Sequence, residues 1–194
     1  GKIDLIEALL PSVDAILIGG AMACTFFKAM GLEVGNSLVE DDRVEMAAAL
    51  LGRAGGKLVL PIGAVVAQRL DRAAETRTVP RDAIPSGWAM FDIDPASERD
   101  FAARITAAGT VIWNGPMGVF ETPPFDAATV ALAKVVAEAT QAGRLCSVAG
   151  GGDTVAALRQ AGVAEKMSYV STAGGAFLEW LEGKVLPGVA ALEA

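Results

Sequence analysis

The chain has 194 residues, of which 53% are hydrophobic and 20% are charged, and its formal net charge is −7. This length is enough for one domain or two small ones, and the acidic balance argues against nucleic acid as the main partner because phosphate neutralisation requires a basic surface. The chain contains no histidine, which excludes His–Asp triads, histidine metal clusters and imidazole general bases.

The mean hydropathy of +0.44 is high, so a membrane segment has to be considered. The longest apolar run, Ala15 to Phe27, is interrupted by two glycines and a threonine, whereas a spanning helix needs about 20 apolar residues. No cationic and apolar signal segment opens the chain. The hydropathy is instead typical of a parallel sheet that is buried on both faces, and no membrane partner is expected.

The two cysteines, Cys24 and Cys146, are too far apart in sequence for a CxxC site. We interpret both as buried free thiols, which indicates a reducing compartment and a cytoplasmic protein. The first residues, Gly1-Lys2-Ile3, lack an initiator methionine, and the chain is therefore expected to be part of a longer one.

Helical and strand-like patterns alternate in the first part of the chain. The predicted elements are a helix carrying Ile3, Ile6 and Leu10 and stopped by Pro11, a strand over Ala15–Ile18, a helix to about Met30, a helix capped by Asp41 or Asp42, and a strand over Lys57–Leu60. The pattern is irregular from Pro61 to Ile93. Short extended pieces such as Thr76–Val79 predict a surface excursion there rather than a core layer.

Regular alternation then returns and continues almost to the end of the chain. The predicted elements are a helix opened by Pro95 with Phe101, Ile105 and Ala108 inside, a strand over Val111–Trp113, a helix from the N-cap Asp126 to Gly143, a strand over Leu145–Val148, a helix to Gly162, a strand over Ser168–Ser171 and a helix to about Leu181. This rhythm predicts an α/β fold, a doubly wound, Rossmann-like three-layer sandwich with a mostly parallel sheet.

Four of the predicted strands run directly into glycine-rich turns. These turns are Gly19-Gly20, Asn114-Gly115-Pro116, Gly150-Gly151-Gly152 and Gly174-Gly175. In an open α/β sheet the ligand lies outside the carboxyl ends of the strands, where glycines permit close approach and helix N-termini offer free N–H groups to phosphate. A single turn needs glycine only for a positive φ, but four turns at one sheet edge predict a phosphate-bearing ligand.

The usual nucleotide fingerprints are absent from the sequence. GxGxxG does not occur, and the one Walker A candidate, Gly183-Lys184, is followed by Val185 and lacks the earlier glycine. The segment Gly150–Thr154 instead offers its three glycines and Thr154 to phosphate oxygens, and Asp153 to Mg²⁺ directly or through water. Asp153 is alternatively an ordinary helix N-cap, and the two roles are compatible.

Taken in order, these turns resemble the C-terminal, nucleotide-binding half of phosphoglycerate kinase, and the resemblance runs nearly the whole chain. The matching segments are Gly1-Lys2-Ile3, Ile18-Gly-Gly-Ala-Met-Ala23, Ile84-Pro-Ser-Gly-Trp88, Trp113-Asn-Gly-Pro-Met-Gly-Val-Phe-Glu121, Gly150-Gly-Gly-Asp-Thr154, Ser171-Thr-Ala-Gly-Gly175 and Leu181-Glu-Gly-Lys-Val-Leu-Pro-Gly188. WNGPxGVFE and GGGDT at this separation are highly specific for that family.

The resemblance implies an enzyme that transfers a phosphoryl group between 1,3-bisphosphoglycerate and ADP. It implies a nucleotide-binding domain over residues 1–181 for Mg-ADP or Mg-ATP, a tail over 182–194 that packs on a phosphoglycerate-binding domain, and a monomer at full length. Residues implied to hold the nucleotide are Lys2, Gly19, Gly20, Leu38, Asn114, Pro116, Val119, Glu121, Gly151, Gly152 and Thr154. Asp153 would serve Mg²⁺, and Gly174 and Gly175 would lie at the transferring phosphoryl group.

The sequence also departs from the family pattern. A lysine that the family places just before the position of Gly1 is absent, so this chain alone is expected not to catalyse turnover. Met90 and Asp94 stand where many relatives have glycine, which could alter an adenine wall, and Gly63 stands where an aspartate is usual. Ala21 and Ala173 replace turn glycines, which is a mild change.

Two alternative functions remain open on the sequence. The first is a bare nucleotide-binding module without turnover of its own. The second is a Rossmann-type oxidoreductase, which would share the sheet but is disfavoured because the dinucleotide fingerprint is missing.

Overall fold

The computed structural model describes residues 2–173. Its helices are α1 (Lys2–Leu9), α2 (Gly20–Ala29), α3 (Val44–Arg53), α4 (Pro95–Ala107), α5 (Ala127–Gln141) and α6 (Gly152–Gln160). Its strands are β1 (Ile16–Leu17), β2 (Leu58–Val59), β3 (Gly63–Ala67), β4 (Thr76–Pro80), β5 (Ala89–Ile93), β6 (Thr110–Trp113), β7 (Cys146–Gly150) and β8 (Tyr169–Ser171). The helix expected to about Leu181, the tail 182–194, Gly174 and Gly175 lie outside the described residues.

The strands follow the predicted α/β pattern. Strand β1 pairs in parallel with β2, and β6, β7 and β8 form a parallel sheet in that order, with helices on both sides. The α/β fold class is therefore confirmed. Because the strands of the second sheet are parallel, their carboxyl ends lie at one edge, with Trp113 opposite Ala149 and Gly150 opposite Ser171. The turns that follow these strands consequently meet.

The segment from Pro61 to Ile93 forms a third sheet, which is antiparallel with the order β4-β3-β5. Its strand β4 is exposed, as predicted for a surface excursion, but β3 and β5 are buried along almost their whole length. The prediction that this segment avoids the core is therefore wrong for β3 and β5. The physical reason is the apolar run in β3 (GAVVA), which leaves neither face of the strand polar.

Several predicted helix starts differ in detail. Asp41 and Asp42 lie in a 3₁₀ turn, Asp41–Arg43, and the N-cap of α3 is Arg43 without a side-chain capping bond, so the prediction of an aspartate cap is wrong. Asp126 is the N-cap residue of α5, but it makes no capping bond because its backbone is already helical. Asp94, in contrast, caps α4 by accepting from the Ser97 N–H at 3.1 Å.

The two thiols are in different environments. Cys24 is buried in α2, with its Sγ 3.6 Å from the Sδ of Met90, and burial raises its pKa to about 11. Cys146 is exposed, and the prediction that both thiols are buried is wrong for it. Cys146 is the first residue of β7 and lies opposite Thr110, the first residue of β6, at the amino end of the sheet.

The core is built from the inner faces of the helices and the strands between them. Its largest fully buried side chains include Phe26 and Phe27 of α2, Phe101 of α4, Phe125, and Leu158 of α6. In the described part of the chain, no helix is long and apolar enough to cross a membrane.

Candidate functional site

The site is centred on the turn that follows β6, residues 114–118, which we call the 114–118 turn. The Nε1–H of Trp113 donates to the carbonyl oxygen of Gly115 at 2.6 Å, and the N–H of Gly115 donates to Oγ1 of Thr154 at 2.7 Å. Gly115 has a φ of +96°, a conformation that glycine adopts without strain. Thr154 is 1% exposed, so its hydroxyl supports the turn from within the protein.

The turn after β6 is also joined to the turn after β7. The side-chain amide of Asn114 donates from Nδ2 to the carbonyl oxygen of Gly150 at 2.8 Å. Gly151 has a φ of +98°, and a Cβ built on it would lie 3.0 Å from the same Nδ2 atom. Glycine at 151 therefore allows Asn114 to lie directly against the backbone that opens α6.

Lys2 reaches this turn from the first position of α1. Its Nζ occupies the place that a Cβ on Gly115 would need, and the side chain is exposed. The structure thus puts an ammonium group beside Gly115, near the start of α6. Positive charge next to free helix N–H groups favours the binding of an anion.

The first glycine-rich turn packs against the same segment from the other side. The N–H of Gly20 donates to the carbonyl oxygen of Met117 at 2.9 Å, and a Cβ on Gly20 would lie 3.3 Å from the carbonyl oxygen of Pro116. A Cβ on Gly19 would lie 2.7 Å from the Sδ of Met117. Glycines at both positions are needed for this close approach.

Gly152 and Asp153 open α6 and are both exposed. The N-cap of α6 is Gly151, and no side chain caps this helix, so Asp153 is not an N-cap. Among residues 2–173 the Asp153 carboxylate has no hydrogen-bond or ion-pair partner, and no cluster of three or more metal-ligating side chains occurs there. A single free carboxylate fits Mg²⁺ that a nucleotide carries, because the phosphates and water supply the other oxygens.

A cavity of about 640 Å³ lies beside β5. Its lining includes Leu38, Phe91, Leu70, Lys28 and Arg69. Leu38 is 75% exposed and is the predicted nucleotide-binding residue that lines the cavity. Val119 is linked to it through β5, because the Val119 N–H donates to the carbonyl oxygen of Phe91 at 2.8 Å.

The structure therefore divides the predicted residues into groups. Those that it brings together around the 114–118 turn are Lys2, Gly19, Gly20, Asn114, Pro116, Gly151 and Thr154. Gly152 and Asp153 follow directly at the start of α6. Val119 and exposed Glu121 continue the segment after the turn, and Leu38 lies apart in the cavity. Gly174 and Gly175 lie outside the described residues.

Two buried side chains next to residues 114–121 were not predicted as functional. Oγ1 of the fully buried Thr129 accepts from the Met117 N–H at 3.0 Å, and Oδ2 of Asp92 accepts from the Ala128 N–H at 3.1 Å. Burial raises the pKa of Asp92 to about 7. The sequence does contain a signal for Asp92, since it is the one charged residue in the otherwise apolar strand β5 (AMFDI).

The structure also shows the surroundings of Met90, Gly63 and Asp94, the residues that depart from the family pattern. Met90 is buried, its N–H donates to Oγ of Ser37 at 2.9 Å, and its side chain packs on Cys24 rather than lining the cavity. Gly63 and Asp94 are neighbours, because a Cβ on Gly63 would lie 2.7 Å from Oδ2 of Asp94.

Comparisons with known proteins point in one direction. The family model described as phosphoglycerate kinase matches residues 1–184. The chain is 54% identical over 196 residues to the phosphoglycerate kinase of Methylobacterium radiotolerans, with 100% of this chain and 49% of that protein covered. The chain spans about half the length of the curated relatives it matches.

Solved structures agree with the sequence relatives. The phosphoglycerate kinase from Coxiella burnetii matches with a TM-score of 0.92 and 44% identity over 98% of this chain and 49% of that one. The phosphoglycerate kinase from Pyrococcus horikoshii matches with a TM-score of 0.83 and 26% identity over 99% of this chain and 48% of that one.

Proposed function

This chain belongs to the phosphoglycerate kinase family, and from that premise we propose that residues 1–181 are its nucleotide-binding domain, which holds Mg-ADP or Mg-ATP. The observation that carries the proposal is the convergence of three turns. Lys2, Gly20 and Gly151 come from different elements, and all meet the 114–118 turn. Such a meeting point at the carboxyl edge of a parallel sheet is where α/β folds bind phosphate-bearing ligands.

The phosphates of the nucleotide are proposed to lie over the start of α6. The amides there are free at the helix N-terminus, and the ammonium group of Lys2 supplies positive charge beside Gly115. Asn114, whose Nδ2 reaches Gly150, faces the transferring phosphoryl group in this proposal. Gly151 and Gly152 leave room for phosphate oxygens, and Thr154 holds the adjoining turn through Gly115.

Asp153 is proposed to hold the Mg²⁺ that accompanies the nucleotide. Its carboxylate is exposed, unpartnered within residues 2–173 and located in the first turn of α6. The ion, when bound, neutralises charge on the phosphate oxygens of the nucleotide. Asp153 then serves as an oxygen ligand, either directly or through water.

The base and ribose of the nucleotide are proposed to lie along residues 116–121, toward the cavity that Leu38 lines. Val119 and Pro116 offer apolar contacts along this segment, and Leu38 offers one from the cavity wall. The exposed carboxylate of Glu121 is available to accept hydrogen bonds from ribose hydroxyls. Both ends of the nucleotide are thus held by residues 114–121.

The reaction of the whole protein is proposed to be phosphoryl transfer between 1,3-bisphosphoglycerate and ADP, as in glycolysis. Such transfer needs little covalent chemistry from the protein, so a site without histidine is adequate. In this proposal Gly174 and Gly175 lie at the transferring group, and the other half of the protein holds phosphoglycerate and covers the tail 182–194. This chain alone then binds nucleotide without turnover.

The test is a titration of the purified chain with Mg-ADP, Mg-ATP and NADH. Mg-ADP or Mg-ATP at about a hundredfold excess over its Kd is expected to stabilise the fold by about 2.7 kcal/mol, whereas NADH is not. A melting temperature that is unchanged by either Mg-nucleotide would overturn the proposal. Stabilisation by NADH alone would instead support the oxidoreductase alternative.

A kinase assay completes the test. The chain is assayed with and without the other half of the protein, supplied as a separate polypeptide that includes the lysine-bearing junction. Activity is expected only in the mixture. Activity of this chain alone near the level of the mixture would show that the proposed division of labour is wrong.

A further inference from the structure

A buried carboxylate lies directly beneath residues 114–121, which are proposed to bind the nucleotide. Asp92 of β5 is 2% exposed and forms no ion pair with a lysine or arginine among residues 2–173. Its Oδ1 accepts from the N–H of Ile93 at 2.9 Å, and its Oδ2 accepts from the N–H of Ala128 at 3.1 Å. The carboxylate therefore joins β5 to the first turn of α5.

The backbone of residues 114–121 packs against this carboxylate at Gly118. A Cβ built on Gly118 would lie 2.5 Å from Oδ1 of Asp92, 2.6 Å from the carbonyl oxygen of Phe91 and 2.7 Å from that of Phe125. The next residue, Val119, donates its N–H to Phe91 at 2.8 Å. The positions of residues 118 and 119 are thus fixed by their contacts with β5. Because there is no free space between Gly118 and Asp92, a change in the Asp92 side chain must displace these residues.

We propose that Asp92 is a positioning residue whose ionised carboxylate holds residues 114–121 in the nucleotide-binding conformation and makes nucleotide affinity rise with pH through neutrality. The affinity part rests on the proposed function, since it requires that residues 114–121 hold the nucleotide. Asp92 itself is not proposed to contact nucleotide. It acts through Gly118 on one side and through Ala128 on the other.

The chemistry of the two protonation states supports this role. The ionised carboxylate only accepts, which suits the two N–H groups that point at it and the positive end of α5. The protonated form carries a hydrogen on one oxygen, so one of the two N–H bonds is weakened. The carbonyl oxygens of Phe91 and Phe125 border the same space beside Gly118 and are potential acceptors for that hydrogen.

The charge state of Asp92 changes in the physiological range. Burial is the largest cause and raises its pKa to about 7, while the N–H groups of Ala128 and Ile93 lower it. The charged groups that face it are both acidic, namely Asp126 before α5 and Glu98 of α4, and both raise its pKa further. The pKa of Asp92 therefore lies near neutrality, well above the ordinary value of an aspartate.

The experiment has two parts, and the first uses the wild-type chain without ligand. Amide resonances of Ile93, Gly118, Val119 and Ala128 are followed by NMR from about pH 5.5 to about pH 8.5. They are expected to shift together with one midpoint near the pKa of Asp92. Resonances of Gly118 and Val119 that do not move with those of Ile93 and Ala128 would overturn the coupling, and this result needs no variant.

The second part measures the Kd for Mg-ADP over the same pH range in wild type, Asp92→Asn and Glu138→Gln. Glu138 is an exposed carboxylate on the outer face of α5 and serves as the matched control. The Asp92→Asn variant is expected to bind about tenfold more weakly than wild type above neutrality, and about equally well near the lower limit. At each pH the Kd of a variant is divided by the Kd of wild type, and this ratio cancels the effect of the nucleotide's own titration on binding.

The outcomes separate this inference from the proposed function. A Kd ratio that is the same at every pH would show that Asp92 is only structural, and an equal effect of Glu138→Gln would show a general charge effect. Coupled NMR titration in a chain that binds no Mg-ADP would overturn the proposed function and uphold the contact between Asp92 and the segment. A pH-dependent ratio with an unaffected control supports both.

Discussion

The carboxylate of Asp94 fills the space beside Gly63. Gly63 is the first residue of β3, and Asp94 directly follows the last residue of its antiparallel partner β5. A Cβ on Gly63 would lie 2.7 Å from Oδ2 of Asp94 and 2.8 Å from the carbonyl oxygen of Val79. The same carboxylate accepts from the N–H and the hydroxyl of Ser97 and so caps α4. Both positions depart from the pattern that the family resemblance implies, in which an aspartate is usual at 63 and many relatives have glycine at 94. The two departures are thus one exchange that keeps a carboxylate at this corner.

The exchange predicts non-additive stabilities. Asp94→Gly is expected to cost only a few tenths of a kcal/mol through the cap of α4, because glycine is itself a tolerated N-cap residue. Gly63→Asp is expected to destabilise the fold because a second carboxylate must share an occupied space. The double variant, Gly63→Asp with Asp94→Gly, is expected to lose less than the sum of the two single losses. Urea denaturation of all four chains measures this cycle, and strict additivity would contradict the exchange.

A second prediction concerns the contact between Lys2 and Gly115. Gly115→Ala is expected to weaken Mg-ADP binding, because the new methyl group takes the place of the Lys2 Nζ and φ is +96° there. Gly162→Ala is the matched control, since Gly162 also has a positive φ, +74°, but nothing lies within 4 Å of a Cβ built on it. Both variants are expected to lose about 1 to 2 kcal/mol of stability from backbone strain.

Only Gly115→Ala is expected to change nucleotide affinity, and calorimetric titration measures this difference. The same loss of affinity in both variants would show that strain alone is responsible. In that case the position of the Lys2 ammonium group would carry no weight in binding.

Part of this architecture could be predicted from sequence because it depends on local patterns. Apolar strands that end in glycines predict a parallel sheet and a ligand edge, and both depend only on residues near one another in the chain. The structure accordingly brings the turns at Gly20, Gly115 and Gly151 together. For Asp153, spacing alone does not distinguish an N-cap from a free carboxylate two positions after the N-cap.

The remaining features depend on contacts between distant residues. Strands β3 and β5 could not be recognised as core strands, because their apolar runs do not alternate and their antiparallel pairing joins residues that are distant in the sequence. The role of Asp92 depends on Ala128, which is 36 residues away, and on Gly118. Cys146 lies opposite exposed Thr110 at the amino end of the parallel sheet, a location that its sequence neighbours do not reveal.

A third prediction follows from the raised pKa of Asp92 and concerns stability. The pKa of this carboxyl is about 3.8 in an unfolded chain and is raised to about 7 in the folded chain. Between these values the folded state binds one proton more, so the contribution of Asp92 to stability falls as pH rises, by at most about 1.4 kcal/mol per pH unit. Above the folded pKa the contribution is constant.

The stability difference between Asp92→Asn and wild type is therefore expected to move in favour of the variant as pH rises from about 5 to about 8. Urea denaturation at both pH values measures this difference. Asp100→Asn, at an exposed position on α4, is the control and is expected to show no such trend. A difference for Asp92→Asn that does not change with pH would mean that the buried carboxyl ionises in its ordinary range.

The last prediction concerns the metal role of Asp153. Since Gly151 is the N-cap of α6 and no side chain caps that helix, Asp153→Asn removes no capping bond. The expected loss of stability is limited to the interaction of the charge with the helix dipole, about 0.3 to 1 kcal/mol. Glu45→Gln is the matched control, because Glu45 is an exposed acid in the first turn of α3 and lies outside the proposed site.

Nucleotide affinity is expected to respond differently from stability. With Mg²⁺ present, Asp153→Asn is expected to weaken ADP binding by about tenfold, because a charged oxygen ligand is replaced by a neutral one. With EDTA in place of Mg²⁺, the variant is expected to bind ADP at least as well as wild type, since a negative charge near the phosphates has been removed. Calorimetric titrations under both conditions measure the two effects. Equal losses with and without Mg²⁺ would exclude the metal role and leave Asp153 as a residue that only shapes the phosphate site.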